Sequence, residues 1–252
     1  MSNEIVLRSM RGTGEPLQSP SVPGEPWLRG KPNMMDDIVR ACAAEGVEHR
    51  PVNYWASIAP AGGTKMFHET YHDGWRKAEL ADGEGRPSIW IGYSLGALIL
   101  GDLMAAGELA NCIGLILIAD PLRHQRQIDN QGVNPAYYGA AGARWIPNIT
   151  TPVYSFSAPD DPISALPATN GFRLFAQIVT GAPQKWNVGF IDMGATLGAC
   201  QRYLGTPSIA GAPAKASRHV IYGTENMPGT KTTYTKAAAA AAVKIITEHR
   251  IN

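Results

Sequence analysis

Residues 88–108 read "SIWIGYSLGALILGDLMAAGE", a strand, a sharp turn and a helix in immediate succession. Ile89, Trp90 and Ile91 form an apolar and aromatic run of the kind expected of a buried strand. An apolar helical run, "LGALILGDLMAAGE", follows without a break. Between them stands Gly92-x-Ser94-x-Gly96, the pattern of a sharp strand-to-helix turn that presents a serine hydroxyl as a nucleophile. Such a turn holds the serine in a strained conformation, and the flanking glycines leave room where strand and helix cross. It also places the serine at a helix N-terminus, where unpaired N–H groups can face a developing oxyanion.

Working outward, short β-rich runs alternate with helical ones, which predicts βαβ units and a parallel sheet. "EIVLRSM" (4–10) is a first strand ending in the turn "RGTGEP", and "LQSPSVPGEPWLRGKP" (17–32) reads as a Pro/Gly-rich surface loop. "NMMDDIVRACAAEG" is a helix stopped by Gly46, "VEHRPVNY" a second strand, and Thr64 to about Leu80 a further helix. "CIGLILIAD" has the unbroken apolar character of a central parallel strand, and "TPVYSFSAPDD" is another strand ending in acids. "YTKAAAAAAVKIITEH" is a terminal helix whose small side chains favour helix and allow close packing on the sheet. The expected architecture is an α/β fold with a central, mostly parallel sheet flanked by helices. One domain over 1–252 is expected, with a substrate-binding insertion around 162–217 that contains "GFRLFAQIVTG".

A second motif competes for the chemistry. "FHETYH" (67–72) contains His-Glu-x-x-His, which on a helix can set two imidazoles one turn apart around zinc. A zinc site also needs a third ligand at a set distance. The continuation "DGWRKAEL" supplies no Gly-x-x-His, and Glu79 and Glu84 are too near on the same element. His68, Glu69 and His72 are therefore expected on a solvated or cleft-edge helix face, with no metal bound.

If Ser94 is a nucleophile on this fold, an acid and then a histidine should follow it in the chain, each on a loop after a later strand. The acid candidates are Asp120 after the fourth strand and the pair Asp160–Asp161 after the fifth. His219 is the base by elimination: His49 lies in an early strand, His124 precedes the acid pair, and His249 is near the end of the terminal helix. One oxyanion donor is the N–H of Leu95, directly after the serine. The other is assigned to Thr13 in "RGTG", whose small residues let backbone approach a substrate. The Thr13 hydroxyl is an additional candidate donor.

"RGTGEP", "GYSLG", "APDDPIS" and "RHVIYG" together resemble four blocks of the cutinase-like serine esterases, across most of the chain. Within that group the chain is most similar to the lysin B mycolylarabinogalactan esterases of phages that infect mycobacteria and their relatives. "IADPLR" resembles the Asn-Pro or Asp-Pro block of those proteins. Because that block accepts Asn, the resemblance argues against Asp120 as the triad acid. It places the acid immediately before Pro-Ile, at Asp161. It implies an α/β-hydrolase fold, a Ser94–Asp161–His219 triad and no cofactor. The implied substrate is a cell-wall glycolipid ester, and the chain is expected to be a monomer. Secreted cutinases brace their catalytic loops with disulfides, whereas Ser164 stands just after the acid block here.

Composition excludes several other classes. The 22 Lys and Arg nearly cancel the 21 Asp and Glu, leaving +1, so neither a nucleic-acid face nor a polybasic anchor is expected. The apolar run from Ile113 to Ala119 is too short to span a bilayer. "MSNEIVLRSM" lacks a basic stretch followed by an apolar core, so no secretory leader is expected. Cys42, Cys112 and Cys200 form no CxxC pair and are expected as free thiols. The missing leader and free thiols fit a reducing cytoplasm, and the resemblance to lysin B proteins implies that this is a host cytoplasm from which the protein is released at lysis.

Overall fold

The computed structural model describes residues 4–18, 33–147, 150–180, 192–205 and 214–251. Its elements run β1 (Val6–Met10), α1 (Asp36–Ala44), β2 (Glu48–Pro51), α2 (Phe67–Asp82), β3 (Ser88–Tyr93), α3 (Leu95–Ala106), β4 (Cys112–Ile118), β5 (Val153–Phe156), α4 (Phe172–Thr180), α5 (Met193–Leu204) and α6 (Tyr234–Ile251). The five strands pair in the order β2-β1-β3-β4-β5, and every pairing is parallel.

Burial on both sides explains why β3, beyond Ser88, and β4 are apolar runs. Successive side chains alternate between two cores. Ile89, Ile91, Ile116 and Ile118 pack with α1 and α6 on one face. Trp90, Leu115 and Leu117 pack with α2 and α3 on the other. The alanine run of α6 serves close approach: Ala238 and Ala242 are fully buried, and a Cβ on Gly114 of β4 would lie 2.4 Å from Ile245 Cδ1.

The glycines around Ser94 are required by backbone. A Cβ at Gly92 would come within 2.6 Å of Ala97 N, and one at Gly96 within 2.0 Å of Met10 O. The latter clash is with main chain at the end of β1, where no side chain can rotate away. Gly96→Ala is therefore expected to destabilise the fold by about 3 kcal/mol or more. A denaturant titration checks this, and a midpoint equal to that of the unaltered protein would refute it.

The structure adjusts several boundaries. The second strand is shorter than 47–54, being confined to Glu48–Pro51 at the sheet edge, where Pro51 has no N–H to pair. The helix expected from Thr64 starts at Phe67, with Glu69 accepting the Met66 N–H at 2.9 Å. Residues 192–205, read from sequence only as part of a loop-rich insertion, contain α5, whose N-terminus is capped by Asp192 accepting from the Ala195 N–H. Most of the loop at 17–32, including Trp27, lies outside the described residues.

Candidate active site

Ser94 sits at the C-terminal edge of the central strand with φ 53° and ψ −114°. Positive φ strains a residue that carries a Cβ, at a cost of order 1–3 kcal/mol, and such strain collects at functional turns. The turn aims Oγ at His219, whose Nε2 lies 2.8 Å away. The other ring nitrogen, Nδ1, lies 3.0 Å from Asp161 Oδ2 and 3.2 Å from Oδ1. Sequence separations of 125 and 58 residues are thus closed into one hydrogen-bonded line by loops after β3, β5 and α5.

Each member is held from behind. Tyr93 stacks on the His219 ring at 5.3 Å between centroids, and its hydroxyl donates to the His219 carbonyl at 2.6 Å. Asp161 is fully buried and accepts from Tyr222 Oη at 2.5 Å, Ser164 Oγ at 2.9 Å and the Ile163 N–H at 2.9 Å. Burial alone pushes this carboxyl up. The His219 imidazole beside it and these hydrogen bonds outweigh burial, so it lies below the ordinary aspartate value. Asp161 is therefore an ionised acceptor poised to fix the His219 tautomer.

The other candidate acids have different partners. Asp160 is half-buried and forms an ion pair with Arg218 at 2.8 Å. Asp120 is buried against Arg144 at 2.5 Å and accepts the Leu122 N–H. His124 packs edge-on against Trp145, His49 lies 2.8 Å from Ser9 Oγ in β2, and His249 is in the last turn of α6. None of these side chains is placed in the hydrogen-bonded line.

Leu95 opens α3, so its N–H has no partner within the helix. In the turn after β1, Gly12 N–H donates to Glu15 Oε2 and Gly14 N–H to the Ala56 carbonyl. Thr13 N–H, between them, makes no hydrogen bond among the described residues. Thr13, Ser94, Leu95 and His219 all line one cleft of about 770 Å³. Its walls include Leu98, Ala140, Ile163, Phe175, Tyr203 and Leu204. Ile58, Ala61 and Phe67, from the stretch leading into α2, also line it, a contribution with no sequence signal. Of the loop and insertion aromatics Tyr137, Tyr138, Trp145, Phe172 and Phe175, only Phe175 lines the cleft. Phe172 is buried beneath it, Tyr138 lies under the Arg173 guanidinium and Trp145 packs on His124.

His68 and His72 are both exposed on α2, and Glu69 is engaged with Met66 N and Lys65 Nζ. Among the described residues no group of three His, Cys, Asp or Glu could hold a metal ion. Among them, also, no helix is long and apolar enough to cross a membrane. Sequence reading missed Tyr222 and Tyr93 as supports. Each adjoins a flagged block, but only the folded chain brings their hydroxyls to Asp161 and His219.

No family model matches the chain, and no curated protein matches it. Several solved structures are similar. Lysin B from Mycobacteriophage D29 is 17% identical with a TM-score of 0.55, covering 98% of this chain and 89% of that one. The catalytic core domain of acetyl xylan esterase from Trichoderma reesei is 14% identical with a TM-score of 0.47, covering 71% of this chain and 96% of that one. A cutinase-like protein from Cryptococcus sp. is 16% identical with a TM-score of 0.45, covering 64% and 79%. At such identities the likeness concerns fold. The chain has the α/β-hydrolase fold.

Proposed function

We propose that this protein is a serine carboxylesterase that hydrolyses the ester between mycolic acids and arabinogalactan, as a lysin B does, during phage lysis of its host. The observation that carries the esterase reading is the line Ser94–His219–Asp161 opening into an apolar-walled cleft. The wall specificity rests on the resemblance of the sequence blocks to lysin B proteins.

The geometry suits two-step acyl transfer. Ser94 Oγ attacks the ester carbonyl carbon while its proton passes to His219 Nε2. The electron pair displaced from the carbonyl rests on the oxygen, facing the Thr13 and Leu95 N–H groups. Collapse of this intermediate breaks the carbon–oxygen bond, and the departing sugar oxygen takes the proton from His219. Water then repeats the sequence on the acyl-enzyme, releasing the free acid and restoring Ser94. Serine, imidazole and backbone donors complete this chemistry, so the reading requires no metal or organic cofactor.

A long branched acyl chain on a polymeric sugar needs a cleft open to solvent with an extended apolar wall. In this reading 162–217 is the substrate-binding insertion of a single catalytic domain, with Phe175, Ala176, Tyr203 and Leu204 of α4 and α5 against the acyl chain. The protein is read as a monomer that is made in the host cytoplasm. It binds its wall substrate without inserting stably in the membrane, and it binds no nucleic acid.

Purified protein is expected to release free mycolic acids from a mycolyl-arabinogalactan-peptidoglycan preparation, with none released by Ser94→Ala. Mass spectrometry of the lipid extract reads this directly. Rapid cleavage of short p-nitrophenyl esters without mycolate release would replace the wall assignment by a general cutinase or lipase.

A further inference from the structure

The turn that presents Thr13 faces a conflict between space and rigidity. Residue 12 must be glycine, because a Cβ there would lie 2.5 Å from Tyr93 Cδ1 and 3.3 Å from Ser94 Cβ. Glycine is also the residue whose flanking peptide planes are least constrained by its own sterics. A donor that must meet an oxyanion without reorganising cannot rest on a free hinge.

Both planes around Gly12 are fastened by one residue. The Glu15 side chain holds the plane before it: Oε2 accepts the Gly12 N–H at 2.8 Å. The Glu15 main chain holds the plane after it: its N–H donates to the Gly12 carbonyl at 3.2 Å. In a trans peptide the carbonyl and the next N–H point in opposite directions. Drawing the Gly12 carbonyl into the turn therefore turns the Thr13 N–H outward. Glu15 is itself braced, since Oε1 accepts the Met34 N–H at 2.8 Å and its carbonyl accepts from Arg11 Nε at 3.0 Å. Its carboxyl lines the cleft, and burial holds it above the ordinary glutamate value against the pull of the two amide bonds.

A partly buried carboxylate near a site of developing negative charge is electrostatically unfavourable. A residue kept there at that cost has a role in geometry. We propose that Glu15 is the positioning residue of the oxyanion site, its carboxylate locking Gly12 so that the Thr13 N–H stays aimed at the reacting carbonyl oxygen. This rests on the serine-esterase reading of Ser94.

The test uses Glu15→Gln and Glu15→Ala with two readouts. One is steady-state hydrolysis of a p-nitrophenyl ester. The other is affinity for an alkyl trifluoromethyl ketone, to which Ser94 Oγ adds so that the former carbonyl oxygen becomes an anion. Glutamine has one acceptor atom for two amide donors, and alanine has none. Glu15→Gln is expected to lower kcat about tenfold and Glu15→Ala about a hundredfold, each with KM within about twofold of the unaltered protein. The affinity for the ketone should fall by the same factors. A purely structural role would raise KM or lower the melting temperature without this parallel loss.

Unchanged kcat in Glu15→Gln would overturn the proposal, as would a lowered kcat with undiminished ketone affinity. Should Glu15→Gln melt below the unaltered protein, Glu15→Asp, one methylene too short to span both amides, is read in its place. If the unaltered protein neither turns over the ester nor binds the ketone, the esterase reading itself falls.

Discussion

Ser94→Ala is expected to fold normally and to lose roughly a thousandfold or more in ester turnover. The loss follows from one atom. Oγ is the only group at this turn that both reaches the cleft and lies within 2.8 Å of an imidazole nitrogen able to take its proton. Without it the Thr13 and Leu95 N–H groups and the apolar wall still bind substrate, and water is the remaining nucleophile. KM should therefore change far less than kcat. The fold should survive, because the glycines at 92 and 96, and not the serine hydroxyl, make room for the crossing of β3 and α3. Initial rates on a p-nitrophenyl ester, with a melting curve for each protein, test this, and near-wild-type turnover in the variant would end the serine-hydrolase reading. His219→Ala should be comparably severe.

Asp161→Asn should reduce kcat by about ten-thousandfold, whereas Asp160→Asn should change it only a few-fold. The carboxylate of Asp161 faces four donors: His219 Nδ1, Tyr222 Oη, Ser164 Oγ and the Ile163 N–H. An amide offers one acceptor oxygen and turns an NH₂ donor toward the rest. The favourable response is for His219 to move its proton to Nε2 and accept at Nδ1. In that tautomer it cannot take the Ser94 proton. Asp160 makes a half-buried ion pair with Arg218, which Glu225 also holds, and it has no contact with the His219 ring, so its loss leaves the tautomer untouched. Parallel kcat measurements on the two variants decide the matter, and the opposite ranking would show that the neighbouring aspartates have been exchanged.

The elements around the sheet were legible because their signals are local. Alternation of β-rich and helical runs identified five strands, and the apolar character of Ile113–Ala119 marked a strand buried on both faces. The zinc-like "HETYH" was harder, since its spacing suits a metal. On α2 the glutamate is occupied in capping the helix and pairing with Lys65, and both histidines face solvent. The helix α5 was not anticipated, because it lies within an insertion rich in glycine and proline, and among the described residues its buried face joins a small satellite cluster with α4 and the loops beside it.

By itself the sequence determined the parallel α/β architecture, the position of Ser94 at the strand-to-helix turn and the chain order of candidate acid and base. Those follow from periodicity and from the short Gly-x-Ser-x-Gly pattern, in which Gly92 clears the backbone of Ala97 only five residues on. Residue types and chain order left Asp120, Asp160 and Asp161 open, the resemblance pointed to Asp161, and it is the tertiary structure that brings this carboxylate to His219. Asp160 and Asp161 are adjacent, and the turn that follows β5 sends their side chains in different directions, one to Arg218 and one into the buried network of Tyr222 and Ser164. It likewise decided the tether between Glu15 and Gly12, because the reason residue 12 must lack a side chain is the Tyr93 ring, some eighty residues away along the chain and in contact only once β1 and β3 have paired.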